Sequence, residues 1–218
     1  MHLSESERRQ IGERAARIEA RTGAQLVAAV VGKCDAYPEI PWKAFALAVS
    51  MTALVAVLSW QQGALAASSL HGLIAVVLCL LGAGALAALA TVFFPPFARL
   101  FLDPARRDAE LRQYAESFFL TRDLVRTRQR SAVLLLVGLF ERSVVILPDR
   151  GVGARVDAAE LAAVIARMTP ALAAGRIAPA LLDGLDMLET LLAAKGFAQI
   201  GDAGDDEIGD EVIEEKGA

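Results

Sequence analysis

Apolar positions in this chain follow first a helical period, then a strand-like run, and then leave no polar partner at all. Ile11, Ala15 and Ile18 fall on one helical face, Ser4-Glu5-Ser6-Glu7 has the form of a capping box, and Gly23 suits a helix stop. The pattern predicts a helix from about Glu5 to Arg21. Gln25 to Val31 is short, apolar and partly β-branched, as a strand covered on both faces should be. Asp35-Ala36-Tyr37-Pro38 then reads as a loop.

From Ala44 to Ala98 the chain runs 55 residues without Asp, Glu, Lys or Arg. Gln61-Gln62-Gly63 and Ser68-Ser69 divide this stretch into two apolar segments, about 44–60 and 70–94. At about 1.5 Å per residue each can cross a hydrocarbon core of about 30 Å. A buried hairpin in a water-soluble core would accommodate the first segment, but the second exceeds the roughly 18 apolar residues that mark a membrane span. Trp42 and Trp60 lie 18 positions apart, which on a helix is about 27 Å and suits an indole at each interface. Pro95-Pro96 ends the second span, and Ala83/Ala87 with Gly84/Ala88 allow close helix approach. Neither span carries an ionisable group except His71 at the loop end, so the pattern argues against a channel or transporter.

After the hairpin, Asp103-Pro104 supplies a helix start, and Leu111, Tyr114, Ala115 and Phe118 keep helical spacing in a helix expected to end near Arg126. Ala132–Gly138 and Ser143–Leu147 are strand-like runs close enough for an antiparallel hairpin. Asp157 with Glu160 opens a capped helix. Pro179 opens another, striped by Leu181, Leu185, Leu188 and Leu192 and closed by Gly196. Residues 198–218 are acidic and read as a disordered tail. The expected organisation is thus 1–43 as the first part of a domain, 44–98 as a transmembrane hairpin, 99–197 as the second part of the same domain, and 198–218 as tail. The strand before the hairpin can pair with those after it only if both flanks stay on one side of the membrane.

Charge supports that arrangement. The net charge of −4 conceals a division, since residues 202–218 hold eight acids and one Lys, which leaves +3 on the remainder. Seven Lys/Arg precede residue 44 and four Arg follow the hairpin within 14 residues, whereas the hairpin loop has none. By the positive-inside rule both termini face the cytoplasm, in a plasma or inner membrane, with the first span acting as signal anchor. The basic residues do not interleave with aromatics, so no nucleic-acid partner is expected and the bilayer is the natural one. Cys34 and Cys79 stand in different settings and imply no disulfide framework.

One succession is more specific. Thr22-Gly23-Ala24 precedes a strand, Arg130-Ser131-Ala132-Val133 leads into another, and Glu141-Arg142-Ser143-Val144 is followed by Asp149-Arg150-Gly151-Val152. This strand, Glu-Arg turn, strand, Asp-x-Gly order, followed by two helices, resembles the TPM domain family over roughly residues 1–35 and 105–196. The resemblance implies an α/β/α layered domain with a small mixed sheet, here interrupted by the two-helix hairpin. It also implies either phosphatase activity and calcium binding through loop acids, or a role in assembling or repairing membrane protein complexes. Ser131-Ala132 stands where relatives usually place a glycine, and the loops hold few acids.

The residues themselves offer one candidate metal site. Asp35 follows the first strand, Asp149 follows the last, and Asp157 starts a helix; were the two strands neighbours, these carboxylates could reach one sheet edge and hold Ca²⁺ or Mg²⁺ with backbone carbonyls. The alternative is that Asp149 and Asp157 cap turns and helices while Asp35 starts a loop. Glu141-Arg142 reads as an exposed turn pair, and Gly151-Val152-Gly153 as a turn. His2 and His71 lie outside the domain's core positions, and no G-x-S-x-G, P-loop or H-E-x-x-H occurs. The favoured function is a non-catalytic interaction or assembly module with membrane-protein partners. The other reading is a divalent-metal-dependent phosphatase-like hydrolase using Asp35 and Asp149.

Overall fold

Ser4 begins the fold with the reciprocal bonds of a capping box: its side chain accepts the Glu7 N–H, and the Glu7 carboxylate accepts the Ser4 N–H at 2.8 Å. The computed structural model describes residues 3–62, 69–124, 130–197 and 212–217. Its elements are α1 (Glu5–Thr22), β1 (Gln25–Lys33), α2 (Glu39–Gln61), α3 (Leu70–Phe93), α4 (Pro95–Ala98), α5 (Pro104–Thr121), β2 (Ala132–Gly138), β3 (Ser143–Pro148), α6 (Arg150–Gly153), α7 (Ala158–Ala173), α8 (Ile177–Ala194) and β4 (Ile213–Gly217). The chain divides into two compact units, residues 1–35 with 107–218, and residues 36–106.

The first unit is built on a four-stranded mixed sheet of order β3-β2-β1-β4. β1 runs parallel to β2 and to β4, and β2 pairs antiparallel with β3. Side chains alternate across a strand, so β1 and β2 serve two cores. Leu26, Ala28, Val30, Val133, Leu135 and Val137 pack with residues of α1, α7 and α8. Val27, Ala29, Val31, Leu134 and Leu136 pack with Leu111, Ala115, Phe118 and Phe119 of α5. The result is the α/β/α layering the sequence implies. α7 starts with the Asp157–Glu160 capping box, and α8 starts at Ile177, which places Pro179 within its first turn, where a missing N–H costs nothing.

Two expectations need correction here. α5 ends at Thr121, short of Arg126. Residues 213–217 are not tail but the edge strand β4, with Ile213 opposite Ala29 and Glu215 opposite Val31. The segment lacks an apolar alternation, and its anchoring comes from distant polar partners that no local pattern displays. The rest of the expected tail, 198–211 and residue 218, lies outside the described residues.

The second unit is an antiparallel pair of long apolar helices. α2 and α3 have 23 and 24 residues, about 35 Å each, and both are long and apolar enough to cross a membrane. α3 stops where expected: Phe94, before Pro95, leaves the helical region (φ −120°, ψ 86°), and Pro95 then opens the single turn α4. Gly84 admits the partner helix, since a Cβ there would lie 2.7 Å from Phe45 and Val49 side-chain carbons. At the base, Glu39 pairs with Arg106 at 3.1 Å and Lys43 Nζ donates to the Phe101 carbonyl at 3.2 Å.

Candidate functional site

The antiparallel turn between β2 and β3 decides where the candidate acids go. Register places Gln25 beside Ala132, and the Asp149 N–H donates to the Ala132 carbonyl at 2.8 Å, so Asp149 sits at the end of the sheet where β1 begins. Asp35 lies two residues beyond Lys33, at the opposite end of β1, whose nine residues span roughly 26 Å at about 3.3 Å per residue. The expectation that both reach one sheet edge is corrected by this geometry: a hairpin reverses direction, and β2, not β3, lies beside β1. Asp149 and Asp157 both act as helix caps. Asp149 accepts the Arg150 N–H at 2.7 Å and Asp157 the Glu160 N–H at 2.8 Å. Asp149 is buried, and its second oxygen has Arg130 Nη1 at 3.7 Å. Among the described residues no three His, Cys, Asp or Glu side chains converge to hold a metal ion. The structure therefore does not bring Asp35 and Asp149 together.

The far end of the sheet gathers a different set. Glu141, expected as an exposed turn residue, is only 3% exposed. The turn folds back, with Arg142 in the left-handed region (φ 49°), so that Glu141 Oε1 accepts the Cys34 N–H at 2.9 Å. Gly138 makes room for it, because a Cβ there would lie 2.6 Å from Glu141 Oε2 and 3.1 Å from Leu111 Cδ1. Arg142 is held by a bond from Nη1 to the Ala173 carbonyl at 2.8 Å. Burial pushes the Cys34 thiol well above its ordinary pKa, and the charges of Glu141, Glu110 and Asp35 raise it further. The shift favours the neutral thiol of Cys34 over the nucleophilic thiolate.

A third cluster, absent from the sequence reading, holds β4. Tyr114 OH donates to Glu215 Oε2 at 2.6 Å and Arg122 Nη2 donates to Glu215 Oε1 at 2.9 Å. The two bonds, Tyr114 first, lower the Glu215 pKa, while burial and the same bond raise that of Tyr114. Arg122 is also stacked over the Phe118 ring, 5.4 Å from its centroid. The pieces are separated by 93 to 101 positions, so no spacing signal exists for them.

A strand, a buried Glu at an Arg-containing turn, a second strand and a capping Asp before two helices are now placed in one α/β unit. The family model described as TPM domain matches residues 100–191. The chain carries a TPM domain. Among solved structures, the NMR structure of the BA42 protein from the psychrophilic bacterium Bizionia argentinensis is similar to this chain, with a TM-score of 0.58 and 12% identity over 98% of this chain and 96% of that one. At that identity the likeness is one of fold. No curated protein matches the chain. The matched span begins before α5 and ends within α8, and the sheet of the TPM domain is completed by β1 from before the hairpin.

Proposed function

We propose that this protein is an integral membrane protein of the plasma or inner membrane, anchored by α2 and α3, whose cytoplasmic TPM domain is a non-catalytic module for interaction with, or assembly of, membrane-protein partners. The observation that carries the reading is the outer surface of the hairpin. Leu47, Leu54, Val55, Leu58, Leu78 and Leu86 are each about half exposed or more, an apolar surface that water does not tolerate at this extent and lipid does. Trp42 and Trp60, 71% and 64% exposed at the two ends of α2, suit the two interfaces. The parallel pairing of β1 with β2 supports one-sided topology, because a sheet assembled from both flanks cannot be divided by a bilayer. The arginines beside the hairpin favour the cytoplasmic side. Engagement of Asp149 and Asp157 as caps, and of Cys34 as a neutral thiol, favours an interaction role over hydrolysis.

Alkaline carbonate extraction with protease protection tests the anchor. The reading expects retention in the membrane pellet with both termini digested only from the cytoplasmic face; extraction into the supernatant overturns it. In-membrane crosslinking with a tagged chain tests the module, with discrete membrane-protein adducts expected that are lost when the hairpin is kept and the TPM domain removed.

A further inference from the structure

Strand β4 is a short, charged edge strand seated on β1 through a small set of specific contacts. Val212 enters the core shared with α1 and α8, and Ile213 packs on the opposite core against α5. Glu214 Oε1 accepts the Leu3 N–H at 3.1 Å, and Glu215 is gripped by Tyr114 and Arg122. The backbone approach is equally specific. A Cβ on Gly32 of β1 would lie 2.6 Å from the Lys216 carbonyl oxygen, and the three atoms nearest to it all belong to Lys216. β1 therefore carries a glycine at the point where the added strand passes closest. Without β4, β1 would be an open edge of the sheet.

We propose that the β1 edge is a strand-addition site for an extended acidic peptide bearing an apolar residue followed by two glutamates, and that Ile213–Gly217 is a tethered occupant that keeps the site closed until a partner's segment of that chemistry displaces it. Main-chain bonds along β1 give the affinity of such a site, while the two-donor grip on the second glutamate and the glycine gap give its selectivity. The inference deepens the interaction-module reading by naming the partner's chemistry. Peptide binding can fail while membrane crosslinking succeeds, so the two stand or fall separately.

The test uses the detergent-solubilised chain, the same chain ending at residue 211, and a fluorescent peptide of sequence Glu211–Gly217. The truncated chain binds the peptide. The full chain binds it at least about tenfold more weakly, because the tethered strand competes at high effective concentration. A peptide with Glu215→Gln loses roughly tenfold or more, and Gly32→Ala in the truncated chain abolishes binding without changing its far-UV spectrum. Absence of binding by a folded truncated chain, or equal binding of the Gln peptide, overturns the proposal. Should truncation prevent folding, Glu215→Gln in the full chain decides: faster amide exchange across Gln25–Lys33 with acquired peptide binding upholds it, and unchanged exchange overturns it.

Discussion

Glu141 and Cys34 are joined across 107 positions, the Glu141 carboxylate accepting the Cys34 N–H where β1 leaves the sheet. Because the acceptor is buried, its loss strands a backbone donor away from water. Glu141→Ala should lower stability by about 1–3 kcal/mol, or roughly 3–9 °C in Tm for a domain of this size, whereas Glu141→Gln, which keeps an acceptor, should lose less than half of that. Thermal unfolding of the three proteins in the same detergent checks the order.

Gly138 and Glu141 occupy one space, so their substitutions should be coupled. Gly138→Ala alone drives a methyl into the Glu141 carboxylate and Leu111, at a cost of about 1–3 kcal/mol. In a Glu141→Ala background the same change should cost less by about 1 kcal/mol, since the crowding partner is gone. A double-mutant cycle measures this, and strictly additive effects would show that the clash is relieved elsewhere.

Much of this architecture was legible in the sequence because its causes are local. The capping boxes at Ser4 and Asp157 and the strands β1 to β3 each rest on neighbours within a few positions. The two apolar helices are equally local in origin. Glu141 departs from expectation because a charged residue in a turn is ordinarily solvated, and only Gly138, three positions earlier, hints that its side chain folds back. Asp35 and Asp149 are kept apart for a topological reason, as the β2–β3 hairpin itself sends Asp149 to the opposite end of β1. β4 has no local signature because Glu215 finds its partners on and just after α5.

Asp149 should prove structural. Asp149→Ala removes the acceptor for the Arg150 N–H and should cost about 0.5–2 kcal/mol, while Asp149→Asn retains the cap and should stay within about 0.5 kcal/mol of the parent. Melting with EDTA, Ca²⁺ and Mg²⁺ should give superimposable midpoints for parent and Asn variant. A cation-specific rise that Asp149→Asn removes would revive the metal-dependent hydrolase.

The hairpin interface depends on Gly84. Gly84→Val places methyl groups where the Phe45 ring and Val49 already stand, and should force α2 and α3 apart. Cysteines introduced on the facing sides near that level should then form disulfides roughly tenfold more slowly, whereas Gly82→Val, with nothing within 4 Å of its Cβ position, should leave the rate near that of the parent.

Docking of β4 should depend on acid. Tyr114 and Arg122 hold the folded Glu215 pKa below its ordinary value, so the carboxylate's contribution is complete above the ordinary glutamate value of about 4.3 and disappears as pH falls through the lower folded value. Tyr114 can still donate to a neutral carboxyl, but the charge attraction to Arg122 is lost. Amide exchange in Gln25–Lys33, corrected for its intrinsic pH dependence, should therefore accelerate below that window in the parent. The Glu215→Gln variant should lack the transition because it has no proton to gain. A transition of equal size in the variant would assign the acid sensitivity to another carboxylate.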